Sequence, residues 1–145
     1  MHCYYLPVTQ HDAEDGITLT ARTPGGRIFA SAGGPTRGDA EERLKLFVNE
    51  TLAGRVEDGL DPFSLLRTGE PSNGALILTE QDLFPIVLRK LRRESGLTQV
   101  EMAKRMNGTQ SAYSKLEQFG INPTLETIHK VQAALGRPIL HYDVA

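Results

Sequence analysis

"LTQVEMAKRMNGTQSAYSKLEQ", Leu97 to Gln118, carries the punctuation of two short helices joined by one tight turn. Thr98 with Glu101 three residues later is a capping box that opens a helix running to Met106. Asn107-Gly108 tolerates positive φ and so ends that helix sharply. Thr109 caps the second helix, which the pattern carries to about Gln118. Met102, Ala103, Met106, Tyr113 and Leu116 fall on the inward sides, and Ala103 is small where a larger side chain would push the helices apart. The spacing predicts a helix-turn-helix. Away from its apolar residues the second helix presents Gln110, Ser111, Ser114 and Lys115. Gln can pair bidentately with adenine, Lys can reach guanine acceptors and Ser can serve a base or a phosphate, so this face suits the floor of a major groove. Gln99, in the first turn of the preceding helix, offers an amide and a helix N-terminus to phosphate, and Thr109, Arg92 and Arg93 are assigned with it to the DNA backbone.

The flanks continue the helical pattern. Asp82 can cap a helix with Pro85 in its first turn and with Ile86, Leu88 and Leu91 as apolar positions, ending at Gly96. "NPTLETIHKVQAALG" gives another, ended by Gly136, so the second half is an all-α domain of four helices. The tail "ILHYDV" alternates and reads as a short terminal strand or a frayed end. Between Arg89 and Lys115 there are 7 basic residues (Arg89, Lys90, Arg92, Arg93, Lys104, Arg105, Lys115) against 2 acidic ones (Glu94, Glu101), a local +5 that would attract a polyanion.

Residues 1–79 differ in charge and in period. They hold 7 Lys+Arg and 11 Asp+Glu, a net −4, whereas residues 80–145 hold 9 and 7, a net +2. "YYLPV", "ITLTA" and "RIFASA" alternate apolar and polar residues and are separated by "EDG" and "PGG", which predicts a three-stranded antiparallel meander. Pro7 puts the first strand at an edge or a bulge. "GDAEERLKLFVNETLAG" switches to helical spacing, with Asp39 as N-cap, Glu42 as its capping partner, and Leu44, Phe47, Val48 and Leu52 on one face. "ALIL" could return as a fourth strand. The expected fold is α+β: a β-β-β-α-β domain over 1–79, then the helix-turn-helix domain over 80–145.

The residues "LTQVEMA", "QSAYSKLE" and "PTLETIHKVQAALG" resemble the helix-turn-helix of the xenobiotic-response-element (Cro/C1-type) repressor family, although the turn here is Asn107-Gly108 where that family usually has Gly and then an aliphatic residue. Tyr4, the "EDGITLTA" hairpin, "GDAEE" and "VEDGLDP…EPS" resemble the amino-terminal domain of HicB antitoxins, a partial ribonuclease H-like layout, without that family's "PDLPG" segment. Together these resemblances imply an antitoxin that sequesters a HicA-like RNA-cleaving toxin through the first domain and represses its own operon, by binding operator DNA, through the second. The rival reading is a stand-alone repressor whose first domain senses a small molecule or only dimerises.

No catalytic constellation is expected. Asp12, Glu14 and Asp15 fall in a predicted turn and Glu41 and Glu42 in a helix's first turn, where solubility and the helix dipole account for them. His2, His11, His129 and His141 are scattered without metal-ligand spacing, Ser31 and Ser64 lack a nucleophile-elbow context, and Cys3 reads as a strand residue. "PGGRIFASAGG" lacks the Lys-Ser/Thr ending of a phosphate loop. Neither a metal nor a cofactor is expected. The single cysteine and the absence of a signal-like or transmembrane run in the sequence suggest a cytoplasmic, membrane-free setting. Because one helix-turn-helix buries little surface on DNA, at least a homodimer is expected, through the sheet domain or the "ILHYDV" tail.

Overall fold

The computed structural model describes residues 3–139 and divides into two compact units, Met1–Thr79 and Glu80–Ala145. The first unit runs β1 (Tyr4–Leu6), β2 (Val8–Ala13), β3 (Gly16–Arg22), β4 (Ile28–Gly34), α1 (Arg37–Glu57), a 3₁₀ turn (Phe63–Leu65), β5 (Arg67–Thr68) and β6 (Leu76–Leu78). The expected single meander is two sheets. Pro7, which has no N–H to donate, separates β1 from β2: β1 lies in a sheet of order β5-β1-β6, while β2 begins the hairpin sheet β2-β3-β4. "ALIL" does return as a strand, but to β1, with Tyr5 opposite Ile77. Asp12, expected in the turn, is a strand residue of β2, and the turn itself is Glu14-Asp15 between the paired Ala13 and Gly16. The Asp12 side chain is exposed and accepts from Gln10 Nε2 at 2.8 Å.

Two glycines let this unit close. A Cβ on Gly16, at φ +152, would sit 2.6 Å from the Gly34 carbonyl oxygen, and one on Gly34 would sit 2.8 Å from Asp39 Cβ and 2.9 Å from Ala40 N. The first turn of α1 therefore rests on bare backbone. That helix starts earlier than expected: Thr36, not Asp39, is its N-cap, accepting from Asp39 N at 3.2 Å while its hydroxyl donates to Asp39 Oδ2 at 2.8 Å. Ala40, Leu44, Val48, Leu52 and Val56, spaced by four, bury one stripe, and Leu19, Ala21 and Ala32 are the buried strand residues of the hairpin sheet. Phe47, expected on that stripe, is 43% exposed, because one residue is about 100° of helix rotation away from Val48.

The second unit holds α2 (Glu80–Glu94), α3 (Gln99–Arg105), α4 (Gln110–Leu116) and α5 (Leu125–Leu135). Helix α2 begins at Glu80 rather than at an Asp82 cap, which puts Pro85 beyond the first turn and leaves the Gln81 carbonyl without its usual donor. Gly96, at φ +70, stops α2 with Leu97 N donating to Arg92 O at 3.1 Å. Helix α5 is capped by Thr124, which accepts from Thr127 N at 3.1 Å, and is ended by Gly136 at φ +66. The core comprises Phe84, Leu88, Leu91, Leu97, Met102, Ala103, Tyr113 and the inward side of α5, with Met106 and Leu116 packed against it. Ile139 closes this core, while the rest of the "ILHYDV" segment and two of the histidines, His2 and His141, lie outside the described residues.

Candidate nucleic-acid interface

Helices α3 and α4 are short, so their placement depends on what holds their ends. Thr98 accepts from Glu101 N at 3.1 Å and Thr109 from Ala112 N at 3.1 Å, one orphan donor satisfied at each N-terminus. Between them Asn107 adopts φ +55 and Gly108 N donates to Ala103 O at 2.9 Å, so the turn reverses within a few residues of backbone. Met102 and Ala103 of α3 meet Tyr113 of α4 in the core.

With Tyr113 inside, Gln110, Ser111 and Lys115 are exposed on α4. Ser114 is half-buried, and its hydroxyl donates to Ser111 O at 3.0 Å. Ala112, which the polar pattern of this helix does not single out, is exposed beside them, and its methyl is the kind of group that meets a thymine methyl. Thr109 is exposed as the cap of the same helix. Gln110 also lines a cleft with Arg93, Thr98, Gln99 and Val100, so the start of α4 and the start of α3 border one concave surface.

Beneath this face lies a charge that the sequence reading gave no role. Glu117, the C-cap of α4, is 2% exposed. Its carboxylate accepts from Arg92 Nε at 2.6 Å and Nη2 at 3.3 Å, from Gln99 Nε2 at 2.8 Å and from the Tyr113 hydroxyl at 2.9 Å. Arg92 further donates to Leu97 O at 2.9 Å, and Arg89 Nη2 to Glu117 O at 3.3 Å. One carboxylate thereby ties α4 to α2 and to the start of α3. Burial alone would push the Glu117 carboxyl up, but the hydrogen bonds from Arg92 and Gln99, the Arg92 charge and the Tyr113 hydroxyl together hold it below the ordinary carboxylate range. Burial, followed by the charge of Glu117 and the hydrogen bond to it, pushes the Tyr113 phenol well above its ordinary range. The signal in the sequence was a glutamate four residues after an inward tyrosine, on the wrong side of the helix for water.

These contacts give Arg92 and Gln99, both expected on the DNA backbone, partners inside the motif, and they divide the basic cluster. Arg92 is 8% exposed with its guanidinium engaged by Glu117 and Leu97, so it braces the motif from within. Gln99 is half-buried with its amide nitrogen given to Glu117. Arg105 donates to Ala134 O at 2.9 Å and Lys90 pairs with Glu94, whose carboxyl is held low by hydrogen bonds from Lys90 and Arg137. Arg93, Lys104, Arg105 and Lys115 are the exposed cations of the cluster.

A helix-turn-helix family model matches residues 88–141, which contain α3, α4 and α5 and the C-terminal part of α2. Over 51 residues the chain is 39% identical to an uncharacterized HTH-type transcriptional regulator of Methanothermobacter thermautotrophicus, a stretch that is 35% of this chain and 74% of the relative. Over 47 residues it is 45% identical to the uncharacterized HTH-type transcriptional regulator y4dJ of Sinorhizobium fredii, covering 32% of this chain and 61% of that protein. Both likenesses span about a third of the chain. Among the described residues no helix is long and apolar enough to cross a membrane.

Proposed function

Because the chain belongs to the helix-turn-helix family of transcriptional regulators, we propose that it is a sequence-specific repressor whose α4 enters the major groove of operator DNA. The observation that carries this reading is the exposed face of Gln110, Ser111 and Lys115 on a helix whose other side is braced by a buried carboxylate. A rigid polar face can present hydrogen-bonding groups to base edges without first ordering itself. Ser114 completes the face through its edge, while Thr109 and Arg93 take backbone phosphates. The protein acts by binding, not by catalysis, and as a homodimer that spans two half-sites.

For the whole chain we propose the antitoxin of a toxin–antitoxin pair, in which residues 1–79 sequester a HicA-like toxin. Two features support this: the resemblance of the β2–β3 hairpin and the start of α1 to HicB-type segments, and the net −4 of residues 1–79, which suits a basic partner. The test is a mobility-shift titration of the full chain against DNA flanking its own coding sequence, with toxicity rescue by co-expression with any adjacent small basic reading frame. A specific complex that resists competitor DNA, together with rescue, is the expected result. A specific complex without rescue leaves a stand-alone repressor; binding that is sequence-independent and lost with salt overturns the DNA-reading proposal itself.

A further inference from the structure

Helix α1 carries a second apolar surface that its own unit does not use. Opposite the stripe Ala40-Leu44-Val48-Leu52-Val56, Leu46 is 41% and Phe47 43% exposed, two large apolar side chains side by side in water. Arg43 and Glu50 flank them at equal distances along the helix, three residues before Leu46 and three after Phe47. Gly54 continues the same side, with open space where a Cβ would be. Arg43 spends one guanidinium nitrogen on Gly33 O at 2.8 Å, leaving the rest of its fork, and Glu50 is exposed.

We propose that this face of α1 pairs antiparallel with the same face of a second copy of this chain. In a two-fold pairing, residue i meets residue j and j meets i. With the axis midway between Leu46 and Phe47, Leu46 of each copy lies on Phe47 of the other, and Arg43 of each meets Glu50 of the other. The face is thus self-complementary in charge as well as apolar at its centre. Moving the axis onto Leu46 would set Glu42 against Glu50, so the charges select one register. Gly54 opposes Asp39 in that register and lets the helix ends approach. A single helix pair falls short of the roughly 1,200–2,000 Å² buried in a stable complex, so the contact makes a reversible dimer.

This inference deepens the dimeric reading above by naming its face, and the test separates the two. Sedimentation equilibrium of the full chain is run for the wild type, Glu50→Arg, Arg43→Glu, the double exchange Arg43→Glu/Glu50→Arg, and Leu46→Ser/Phe47→Ser, each checked for unchanged melting temperature. Each single exchange places like charges together at two symmetric points and should weaken dimerisation about tenfold or more. The double exchange restores both pairs with signs reversed and should recover the dimer to within about threefold. Leu46→Ser/Phe47→Ser should give monomer at concentrations where the wild type is dimeric. A dimer indifferent to every variant sinks this face while keeping a dimer by another route. A wild type that is monomeric alone and covers Leu46 and Phe47 only on binding a co-expressed toxin overturns the self-pairing.

Discussion

Two arginines, one in each unit, do the same geometric job under opposite conditions. Arg37 sends its Nε to Glu41 at 2.8 Å, Nη1 to Gln10 at 2.6 Å and Nη2 to Gly74 O at 2.8 Å, joining α1, β2 and the loop before β6. Arg92 joins α2 to the start of α3 and the end of α4 through Leu97 O and Glu117. The Arg37 side chain keeps about a third of its surface, 35%, whereas Arg92 keeps 10% and its partner Glu117 only 1%. Water screens the first network and can replace any partner it loses. It cannot do so in the second, where removing one member strands a charge in a poorly solvated place. A fork across three elements is therefore a convenience in one unit and a requirement in the other.

The sharpest way to break this contrast is Glu117→Gln, which leaves Arg92 buried without its counter-charge and should cost about 3–5 kcal/mol in denaturant unfolding of the helical unit. The same variant should change the response to acid. The folded carboxyl binds its proton more weakly than the unfolded one, so its stabilisation is present in full above the ordinary glutamate value of about 4.3 and is lost as pH falls through the lower folded value. Wild-type melting temperature should drop along that limb, and Glu117→Gln should flatten it. An acid limb of unaltered steepness in the variant would mean that another group sets it.

Next in size is Leu44→Ala in the first unit, whose side chain on the inner stripe of α1 is fully buried. Loss of packing there should cost about 3 kcal/mol, with no difference between pH 4 and pH 7 because no charge is involved. The DNA-facing side of the helical unit should respond in affinity, not stability. Gln110→Ala or Lys115→Ala should each lose about 2 kcal/mol on the preferred operator and relax preference at one base pair, at unchanged melting temperature. Folded variants with unaltered affinity and preference would show that this face does not read DNA. The smallest effects belong to the exposed cations. Arg37→Ala should cost about 1 kcal/mol or less. Arg93→Ala should reduce the slope of log affinity against log salt by about one. Arg92→Ala, its neighbour in sequence, should instead fail first in stability, and salt-slope measurements on the two adjacent arginines would separate support from contact.

The motif itself was legible from residue order because its instructions are local. Thr98, Thr109 and Thr124 cap within three residues of themselves, Asn107 and Gly96 supply positive φ where the backbone must reverse, and Ala103 is small where two helices meet. Periodicity likewise placed Met102 and Tyr113 inside and Gln110, Ser111 and Lys115 outside. Pairing and depth were decided elsewhere in the chain. Nothing next to Pro7 says that β1 will take partners some sixty and seventy residues away while β2 takes β3, since strand pairing is a contest among distant segments. Phe47 and Val48 are both apolar neighbours, and packing against the sheet buries Val48 with the stripe from Ala40 to Val56 while Phe47 stays exposed. Arg92 and Arg93 are the same residue type one position apart. A rotation of about 100° along a helix put one on a buried glutamate from another helix and kept the other at the exposed surface, because a charge is held inside only where a partner from elsewhere in the fold arrives to offset the lost solvation.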